Sequence, residues 1–472
     1  MAYNKQIVQT TRNKALLINK EAIFYGSFAE IGAGQEVARH FFQAGLASQT
    51  IAKSISAYDK IFSDTIYGKG SRFVSQERLD QMLVYEYKLL EERLPERKDT
   101  TCFFSFANTV ATSSHQEFPT CHGWMGIRYQ NNPGGPVNEI SLHVRMLDRL
   151  RLQQQEALGI LGVNLIYAAR FLTNADACAN DAHATDIVTS LIDNLSTDRI
   201  EVNYIRFTGK DLNHIDNRLM SLELVHQNLS PAVMFNPKGE VQLVSDALYK
   251  KPSIVQRGTF RPVTKTNMEI LDRGLAHFSK DINVKKEEVV SVMEMTMNNF
   301  AKEGAVDRKD FLERVDTLCA VNQHVLVTNL PLFSQLKVYL RQQTDGPIAI
   351  VIGASTLNGL FDNKYYEKVP GGIMGAFSQL FDSNTKLYVY PFKSQDSCAT
   401  AQTFYPDRKL AHLFMYLMEN KMIVDMENCD DLDTTVHSEQ VRELLAKGDK
   451  AWETMVPDSV REIIQKKKMF LS

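Results

Sequence analysis

Three short apolar runs in the second half of the chain restrict the fold more than any other feature. They cover 324–328, 347–353 and 386–391, and the first two are followed by stretches of helical character. Strands buried on both faces are continuous apolar runs, and the helices that connect parallel strands cover those faces. The pattern predicts an α/β unit with a largely parallel sheet.

The first half of the chain predicts a mixed sheet. Three β-rich pieces cover 102–110, 123–130 and 139–146, and a turn sequence at 132–136, NPGGP, predicts a hairpin between the last two. The clearest amphipathic helix covers 76–93, with Ser75 as its N-cap. A second, buried helix is predicted over 150–172, where Gly159 and Gly162 would let a neighbouring element approach closely.

The length of 472 residues exceeds one ordinary core, so two packed units are expected. The polar, lysine-rich segment 281–288 is the predicted boundary. The first predicted domain, 1–280, is a mixed α/β domain that holds a glycine-rich turn and the β-hairpin. The second, 289–472, is a smaller, parallel-type α/β domain.

The charge and the hydropathy of the chain limit the kinds of partner that we expect the protein to bind. The formal net charge is −3 and the pI is near 6.4, so no global basic field favours nucleic acid or an anionic membrane. The N-terminal sequence MAYNKQIVQTTRNK has no apolar signal region, and the most apolar run, 157–172, is shorter than the ~20 residues that span a bilayer. These features predict a cytoplasmic protein without nucleic-acid or membrane partners.

The cysteines are scattered and form no CxxC pair. The spacing of Cys102, Cys121, Cys178, Cys319, Cys398 and Cys429 fits neither a disulfide framework nor a zinc ribbon. Reduced thiols are therefore expected. The sequence predicts no metal site, and it names no cofactor.

A glycine-rich turn follows the first predicted strand and precedes a segment of helical character at 35–42. Gly32 and Gly34 occupy two of the three glycine positions of a dinucleotide fingerprint, and Val37 stands at the third. Glycines at such a turn let backbone N–H groups approach an anion at the helix N-terminus. Gly32 and Gly34 therefore mark either a phosphate site or a tight turn alone.

The segment 26–35, GSFAEIGAGQ, resembles the start of the nucleotidyltransferase signature, G-[ST]-F-x-P-x-H-x-G-H. In that family the two histidines help to bind triphosphate and stabilise its transition state. Gly32 and Gln35 occupy the histidine positions here, and Glu30 stands where proline is usual. A nucleotidyltransferase-like activity would need positive donors from elsewhere in the chain.

The predicted hairpin brings a second group of candidates together. If its strands pair, Trp124, Arg128, His143 and Arg145 can meet on one face. Arginine offers permanently charged, planar donors for phosphate or carboxylate, and tryptophan can stack on a base or ring. The alternative is a solvated sheet face.

Two further groups lie later in the chain. Arg257 and Arg261 belong to the most basic neighbourhood outside the C-terminal tail, which suits an anion, a solvated loop or salt bridges to a partner subunit. Gly353 and Ser355 follow a strand of the parallel type. Ligands of open α/β sheets bind at the carboxyl ends of strands, so these two residues are candidates for phosphate or polar contact.

Several phrases spread along the chain resemble a widespread bacterial family. They include FYGSFAEIGAGQEVARHFF, CHGWMGIRYQ, QQEALGILGVNLIYAA, KKPSIVQRGTFRPVT and WETMVPDSV, and the resemblance runs from Phe24 to Val460. Members are called nicotinate- or nicotinamide-nucleotide adenylyltransferase, or TonB-dependent receptor. The resemblance implies a bacterial cytoplasmic protein, and the first of these names implies a nucleotide ligand.

Two functions are compatible with the sequence. In the first, the protein binds a nucleotide or another phosphorylated small molecule, with phosphate at Gly32 and Gly34 and charge from Arg128, His143 and Arg145 or from Arg257 and Arg261. In the second, it is a non-catalytic protein that self-assembles into a homo-oligomer or binds a partner. The sequence contains no complete catalytic constellation, so it does not decide whether the protein is an enzyme.

Overall fold

The computed structural model describes residues 8–32, 34–70, 72–112, 121–173, 182–302, 305–393, 397–426, 429 and 436–470. The chain divides into two units, Met1–Ser230 and Pro231–Ser472. This division lies well before 281–288, where the sequence placed the boundary, and the second unit is slightly the longer of the two. The reason is that the strand at 253–257 lies inside the sheet of the second unit.

The N-terminal unit alternates helices and strands. Its helices are α1 (Thr11–Asn19), α2 (Val37–Ala44), α3 (Lys60–Tyr67), α4 (Gln76–Arg93), α5 (Arg151–Phe171), α6 (Ala182–Leu191) and α7 (Asn217–His226). Its strands are β1 (Phe24–Gly32), β2 (Ile51–Ile55), β3 (Cys102–Ala111), β4 (His122–Gln130), β5 (Val137–Met146) and β6 (Ile200–Thr208).

The six strands form one sheet in the order β2-β1-β3-β4-β5-β6. Strand β1 pairs in parallel with β2 and β3, and the remaining pairs are antiparallel. Strands β4 and β5 form the predicted hairpin, in which Trp124 lies opposite His143 and Arg128 opposite Glu139. The prediction of a mixed sheet is confirmed.

Helices cover both faces of this sheet. Helix α4, capped by the Ser75 hydroxyl as predicted, packs on the face that carries Gly126, where a side chain would meet Leu79 and Leu83. Helix α5 packs near Phe106, on the opposite face. A Cβ on Gly162 of α5 would lie 2.3 Å from Val37, so this glycine lets α2 and α5 approach closely, as the sequence predicted.

The C-terminal unit holds the remaining elements. Its strands are β7 (Ala232–Phe235), β8 (Val241–Gln242), β9 (Ser253–Arg257), β10 (Val290–Thr296), β11 (Ala301–Lys302), β12 (Ala305–Val306), β13 (His324–Thr328), β14 (Ile348–Gly353), β15 (Thr385–Tyr390), β16 (Phe392–Lys393), β17 (Cys398–Ala399) and β18 (Ile423–Asp425). Its helices are α8 (Val244–Leu248), α9 (Lys265–Asp281), α10 (Arg308–Ala320), α11 (Phe333–Gln343), α12 (Thr356–Leu360), α13 (Gly372–Leu380), α14 (Ala411–Glu419), α15 (Ser438–Lys447) and α16 (Asp458–Lys467).

Eight of these strands form a sheet in the order β18-β15-β14-β9-β10-β13-β7-β8. The strands from β18 to β13 are parallel, and β7 and β8 add an antiparallel edge. The chain passes from β9 to β10 and β13 on one side, and then from β14 to β15 and β18 on the other. The predicted, largely parallel sheet is confirmed, and β9 lies in its middle.

Cys398 and Cys429 form a disulfide, so the prediction of reduced thiols throughout is wrong for this pair. The two residues are 31 positions apart, and the fold brings them together because Cys398 lies on β17 and Cys429 follows β18. Cys102, Cys121 and Cys319 carry reduced thiols, and Cys178 lies outside the described residues.

In the described part of the chain, no helix combines the length and the apolar character that crossing a bilayer requires.

Candidate functional site

A cavity of about 560 Å³ lies at the carboxyl ends of the central strands of the C-terminal unit. Its walls come from Gly258–Arg261 after β9, from Gly353 and Ser355 at the end of β14, and from Tyr390–Phe392 at the end of β15. Strands β9 and β14 are the neighbours at which the order of the sheet reverses. Open α/β sheets bind their ligands outside the carboxyl ends at such a reversal.

Three arginines from separate elements line this cavity: Arg261, Arg314 and Arg442. Arg261 donates from Nε to one oxygen of Asp310, and Arg314 donates to the other oxygen of the same carboxylate. Arg442 lies 3.6 Å from Glu439, whose side chain is 81% exposed. Three guanidinium groups therefore face two carboxylates, and the wall of the cavity is cationic.

Arg314 is the most deeply buried of the three, with a side chain 4% exposed. Two of its nitrogens also donate to the carbonyls of Thr259 and Asn299, at 2.9 and 3.1 Å. Burial lowers the pKa of the Arg314 guanidinium from its usual value, Asp310 opposes that change, and Arg261 and Arg442 lower the pKa further. Like charges act in this way at short range, so the three cations share one electrostatic environment.

Two helices begin at the same cavity. Helix α9 begins after Thr264, which forms a capping box with Asn267, and both residues line the cavity with Thr266. Helix α15 begins after His437, and His437 and Ser438 line the cavity from another side. A helix N-terminus carries a partial positive charge and favours anions, so both helices add to the field of the arginines.

The structure brings three of the predicted site residues together here. Arg261, Gly353 and Ser355 all line the cavity, although Arg261 precedes the other two by more than ninety positions in the chain. A Cβ on Gly353 would have only Ser355 Oγ nearby, at 3.8 Å, so packing does not require a glycine at this position.

Arg257 lies at the end of β9 but does not line the cavity. Its guanidinium donates to both oxygens of Glu294, at 2.5 and 3.0 Å, and to the carbonyls of Leu330 and Pro331, each at 2.7 Å. These bonds join β9 to β10 and to the loop after β13. The arginine is therefore committed to holding the sheet together.

The glycine-rich turn of the N-terminal unit is followed by a helix whose start is bound to an acidic side chain of the chain itself. The carboxylate of Glu30 accepts from the backbone N–H groups of Val37 and Ala38, at 2.9 and 3.1 Å, and so occupies the N-terminus of α2. Burial raises the pKa of Glu30 to about 7. Two of the N–H groups at the helix start beyond Gly32 and Gly34, those of Val37 and Ala38, are therefore bound within the chain.

The two glycines of this turn serve close packing. Gly32 has a φ of +74°, and a Cβ there would lie 2.2 Å from the carbonyl oxygen of Val110. A Cβ on Gly34 would lie 2.3 Å from Asn108, whose amide donates to the Gly34 carbonyl at 2.9 Å.

The predicted hairpin residues share one face of the first sheet, but each has a partner there. Arg128 lies 3.2 Å from Glu139, and Arg145 lies 3.1 Å from Glu201. His143 is buried between His122, at 3.0 Å, and Asn203, at 2.6 Å. Burial lowers the pKa of His143 to about 3, so this imidazole is neutral at pH 7 and adds no positive charge.

Sequence reasoning missed Arg314, Arg442 and His437. Arg314 lies four positions after Asp310 on α10, a spacing typical of a helical ion pair on a solvated surface. Arg442 and His437 belong to a polar helix start with no glycine or apolar strand beside it. Only the order of the strands places these residues beside Arg261.

Within the described ranges, no cluster of histidine, cysteine, aspartate and glutamate is arranged to hold a metal ion.

Comparisons with known proteins give fold neighbours of low similarity. No family model matches the chain, and no curated protein matches it either. Among solved structures, the chain is similar to the competence/damage inducible protein CihA from Agrobacterium tumefaciens, with 16% identity, a TM-score of 0.26, and coverage of 34% of this chain and 97% of that one.

Two other solved structures are similar to a comparable degree. The nicotinic acid mononucleotide adenylyltransferase of Plasmodium falciparum, complexed with APC, has 13% identity and a TM-score of 0.29, and covers 47% of this chain and 97% of that one. A CinA superfamily protein from Enterobacter cloacae has 12% identity and a TM-score of 0.26, and covers 36% of this chain and 96% of that one. Because the identities and TM-scores are this low, the function has to be inferred from the residues of this chain.

Proposed function

We propose that the C-terminal unit binds a nucleotide or another phosphorylated small molecule in the cavity at the ends of β9 and β14. One observation carries this proposal: Arg261, Arg314 and Arg442 line the same cavity as the N-termini of α9 and α15. Phosphate is the ligand group that arginine forks and helix N-termini bind best.

The arginines have different parts in this binding. Asp310 fixes the guanidinium groups of Arg261 and Arg314 before a ligand arrives, so little entropy is lost when they meet a phosphate. Arg442 has a side chain 32% exposed and pairs with Glu439, which is itself 81% exposed, so of the three it is the arginine freest to close on the ligand.

The rest of the cavity fits the non-phosphate part of a nucleotide. Its volume of about 560 Å³ lies within the roughly 300–1,000 Å³ that small-molecule sites occupy. Hydroxyl groups of Thr266 and Ser355 line it, and the rings of Phe392 and His437 lie 6.5 Å apart on its wall. If the protein is a transferase, these arginines take over the stabilisation of phosphate charge that the histidines of the nucleotidyltransferase signature provide.

Thermal unfolding of the full-length protein tests this proposal. The panel contains ATP, NMN, nicotinate mononucleotide and NAD, each with and without magnesium, and inorganic phosphate. A ligand at 100 times its Kd stabilises the native state by about 2.7 kcal/mol, which raises the Tm by several degrees. We expect at least one phosphorylated compound to do so, and Arg442→Gln to weaken its binding about tenfold, the loss of one charge-assisted hydrogen bond.

Arg408→Gln is the matched control, because Arg408 is exposed, lies in the same unit and does not line the cavity. It should leave the affinity unchanged. The proposal would be contradicted if no compound of the panel raised the Tm, or if Arg442→Gln and Arg408→Gln lost the same affinity for the ligand.

Self-assembly or binding of a protein partner is the second candidate function. Tyr58, Ile61 and Phe62, around the start of α3, are 68%, 75% and 59% exposed. Exposed apolar side chains in a cluster favour contact with another protein surface. Sedimentation of the wild type and of Ile61→Ser tests this candidate, since an assembly that uses this surface should dissociate in the variant.

A further inference from the structure

A second cavity, of about 250 Å³, lies in the N-terminal unit between strands β1 and β2 and the C-terminal half of α4. Tyr25 and Ala52 line it from the strands, and Leu89, Leu90 and Leu94 line it from the helix. Apolar side chains therefore form most of its wall. The residues of the C-terminal phosphate site take no part in it.

One wall residue, Ser27, has a hydroxyl group without a hydrogen-bond partner among the described residues. Ser27 is fully buried in the middle of β1. Its neighbour across the sheet, Ser105, is equally buried but donates to the Leu83 carbonyl at 2.8 Å. Leaving a buried hydroxyl unbonded costs stability, so a serine at this position suits a group that enters the cavity.

The cavity also holds a fixed positive charge. Lys53 Nζ lies 2.5 Å from one oxygen of Glu86, and the hydroxyl of Tyr67 donates to the other oxygen at 2.8 Å. Glu86 is fully buried, whereas the side chain of Lys53 is 35% exposed. Both oxygens of the carboxylate are therefore engaged, and the ammonium group is held at the open side of the cavity.

Two further features place positive charge at this cavity. The pairing of β1 with β2 shifts between Gly26 and Ser27, so that Lys53 lies opposite Ser27 and Ala52 is an extra residue. Such bulges re-aim side chains beside binding sites. Arg93, which is exposed, adds a second cation to the lining, so two positive groups face the single carboxylate of Glu86.

We propose that this cavity binds a small monocarboxylate with an apolar body, such as an aromatic or branched-chain acid. The apolar body lies against Tyr25, Leu90 and Leu94. The Ser27 hydroxyl donates to an oxygen of the ligand, and Lys53 and Arg93 attract its negative charge. The site is independent of the phosphate site proposed for the C-terminal unit.

Binding to the full-length protein tests the site, with benzoate and phenylacetate as probes and benzamide as the neutral control of equal shape. Saturation-transfer NMR detects contact, and calorimetry gives the affinity. We expect benzoate or phenylacetate to bind at millimolar concentration and benzamide to bind at least tenfold more weakly. Ser27→Ala should weaken binding of the acid about tenfold, and Arg93→Gln several-fold.

Stability and a second variant separate binding from folding. Ser27→Ala should leave the Tm of the ligand-free protein unchanged or raised, because it removes an unbonded hydroxyl. Arg442→Gln, in the other unit, should leave benzoate affinity unchanged. The proposal is overturned if neither acid binds, if benzamide binds as tightly as benzoate, or if Ser27→Ala keeps full affinity. A lowered Tm for Ser27→Ala would also overturn it, because the hydroxyl would then be structural.

Discussion

Arg314 and Asp310 lie one turn apart on α10, and the guanidinium of Arg314 donates to the carboxylate of Asp310. The other oxygen of that carboxylate accepts from Arg261, which arrives from the loop after β9. One carboxylate therefore holds two cations at the end of the sheet. Both can turn donors towards the cavity while the carboxylate keeps their positions.

Removal of this carboxylate should destabilise the protein. We expect Asp310→Asn to lower the free energy of unfolding by about 3–5 kcal/mol, because Arg314 would stay buried without its counter-charge. Urea denaturation measures the loss. Glu439→Gln is the control, since that side chain is 81% exposed and its pair with Arg442 is worth at most about 1 kcal/mol. Equal losses in the two variants would show that Arg314 does not depend on Asp310.

Arg257 and Arg442 should respond to substitution in opposite ways. Arg257→Ala leaves the fully buried Glu294 without its cation and should lower the free energy of unfolding by about 3–5 kcal/mol. Arg442→Gln should change that free energy by no more than about 0.5 kcal/mol and should weaken phosphate binding instead. Denaturation and ligand titration of both variants check this division. If Arg257→Ala is as stable as the wild type but binds the ligand more weakly, Arg257 belongs to the phosphate site.

Glu30 should make stability depend on pH. Its pKa is raised from 4.5 to about 7 in the folded protein, so between these values the folded state binds more protons than the unfolded state. The contribution of Glu30 is therefore greatest below pH 4.5 and falls as the pH rises to about 7, by roughly 3 kcal/mol at most. Urea denaturation between pH 5 and 8 measures the slope.

Glu30→Gln is the variant that isolates this effect. A glutamine cannot titrate, so the part of the slope due to Glu30 should disappear. Its amide also places an NH₂ group against one of the N–H groups of α2, which should cost about 1–3 kcal/mol at neutral pH. An unchanged slope in the variant would assign the pH dependence to other groups.

The disulfide between Cys398 and Cys429 should support the C-terminal unit. Closing a loop of this length stabilises a protein by roughly 3–4 kcal/mol, so a reductant should lower the Tm. The double variant Cys398→Ser/Cys429→Ser should unfold at the same lowered Tm with or without reductant. A further fall in the Tm of this variant on reduction would point to another disulfide. The cytoplasmic location stays a prediction.

Local signals in the sequence predicted much of the fold. Some elements have short-range causes that can be recognised without the structure. They are the apolar strands β13, β14 and β15, the helix α4 with its Ser75 cap, and the β4–β5 hairpin. The boundary between the two units has no local signal of this kind in the sequence. The polar segment 281–288 looks like a linker, but it connects α9 to β10 inside one sheet.

The sequence predicted only some of the residues of the candidate site. Gly353 and Ser355 come at the end of a recognisable strand, so the rule for carboxyl ends found them, whereas Arg261 was found because it belongs to a basic stretch. Arg314 and Arg442 come from helices far along the chain, and only the order of the strands brings them to the same cavity. At the glycine turn the sequence left two interpretations open, a phosphate site and a tight turn. No local pattern shows that Glu30 bends back to the start of α2.

The central position of β9 affects how such a chain can be assembled from parts. A gene joined or divided near codon 280 would separate β7 from β13 and β9 from β10 and β14, and the larger sheet would lose its middle. A junction near codon 230 leaves both sheets whole. A fusion of two ancestral genes would therefore keep both sheets whole if it joined them near Ser230.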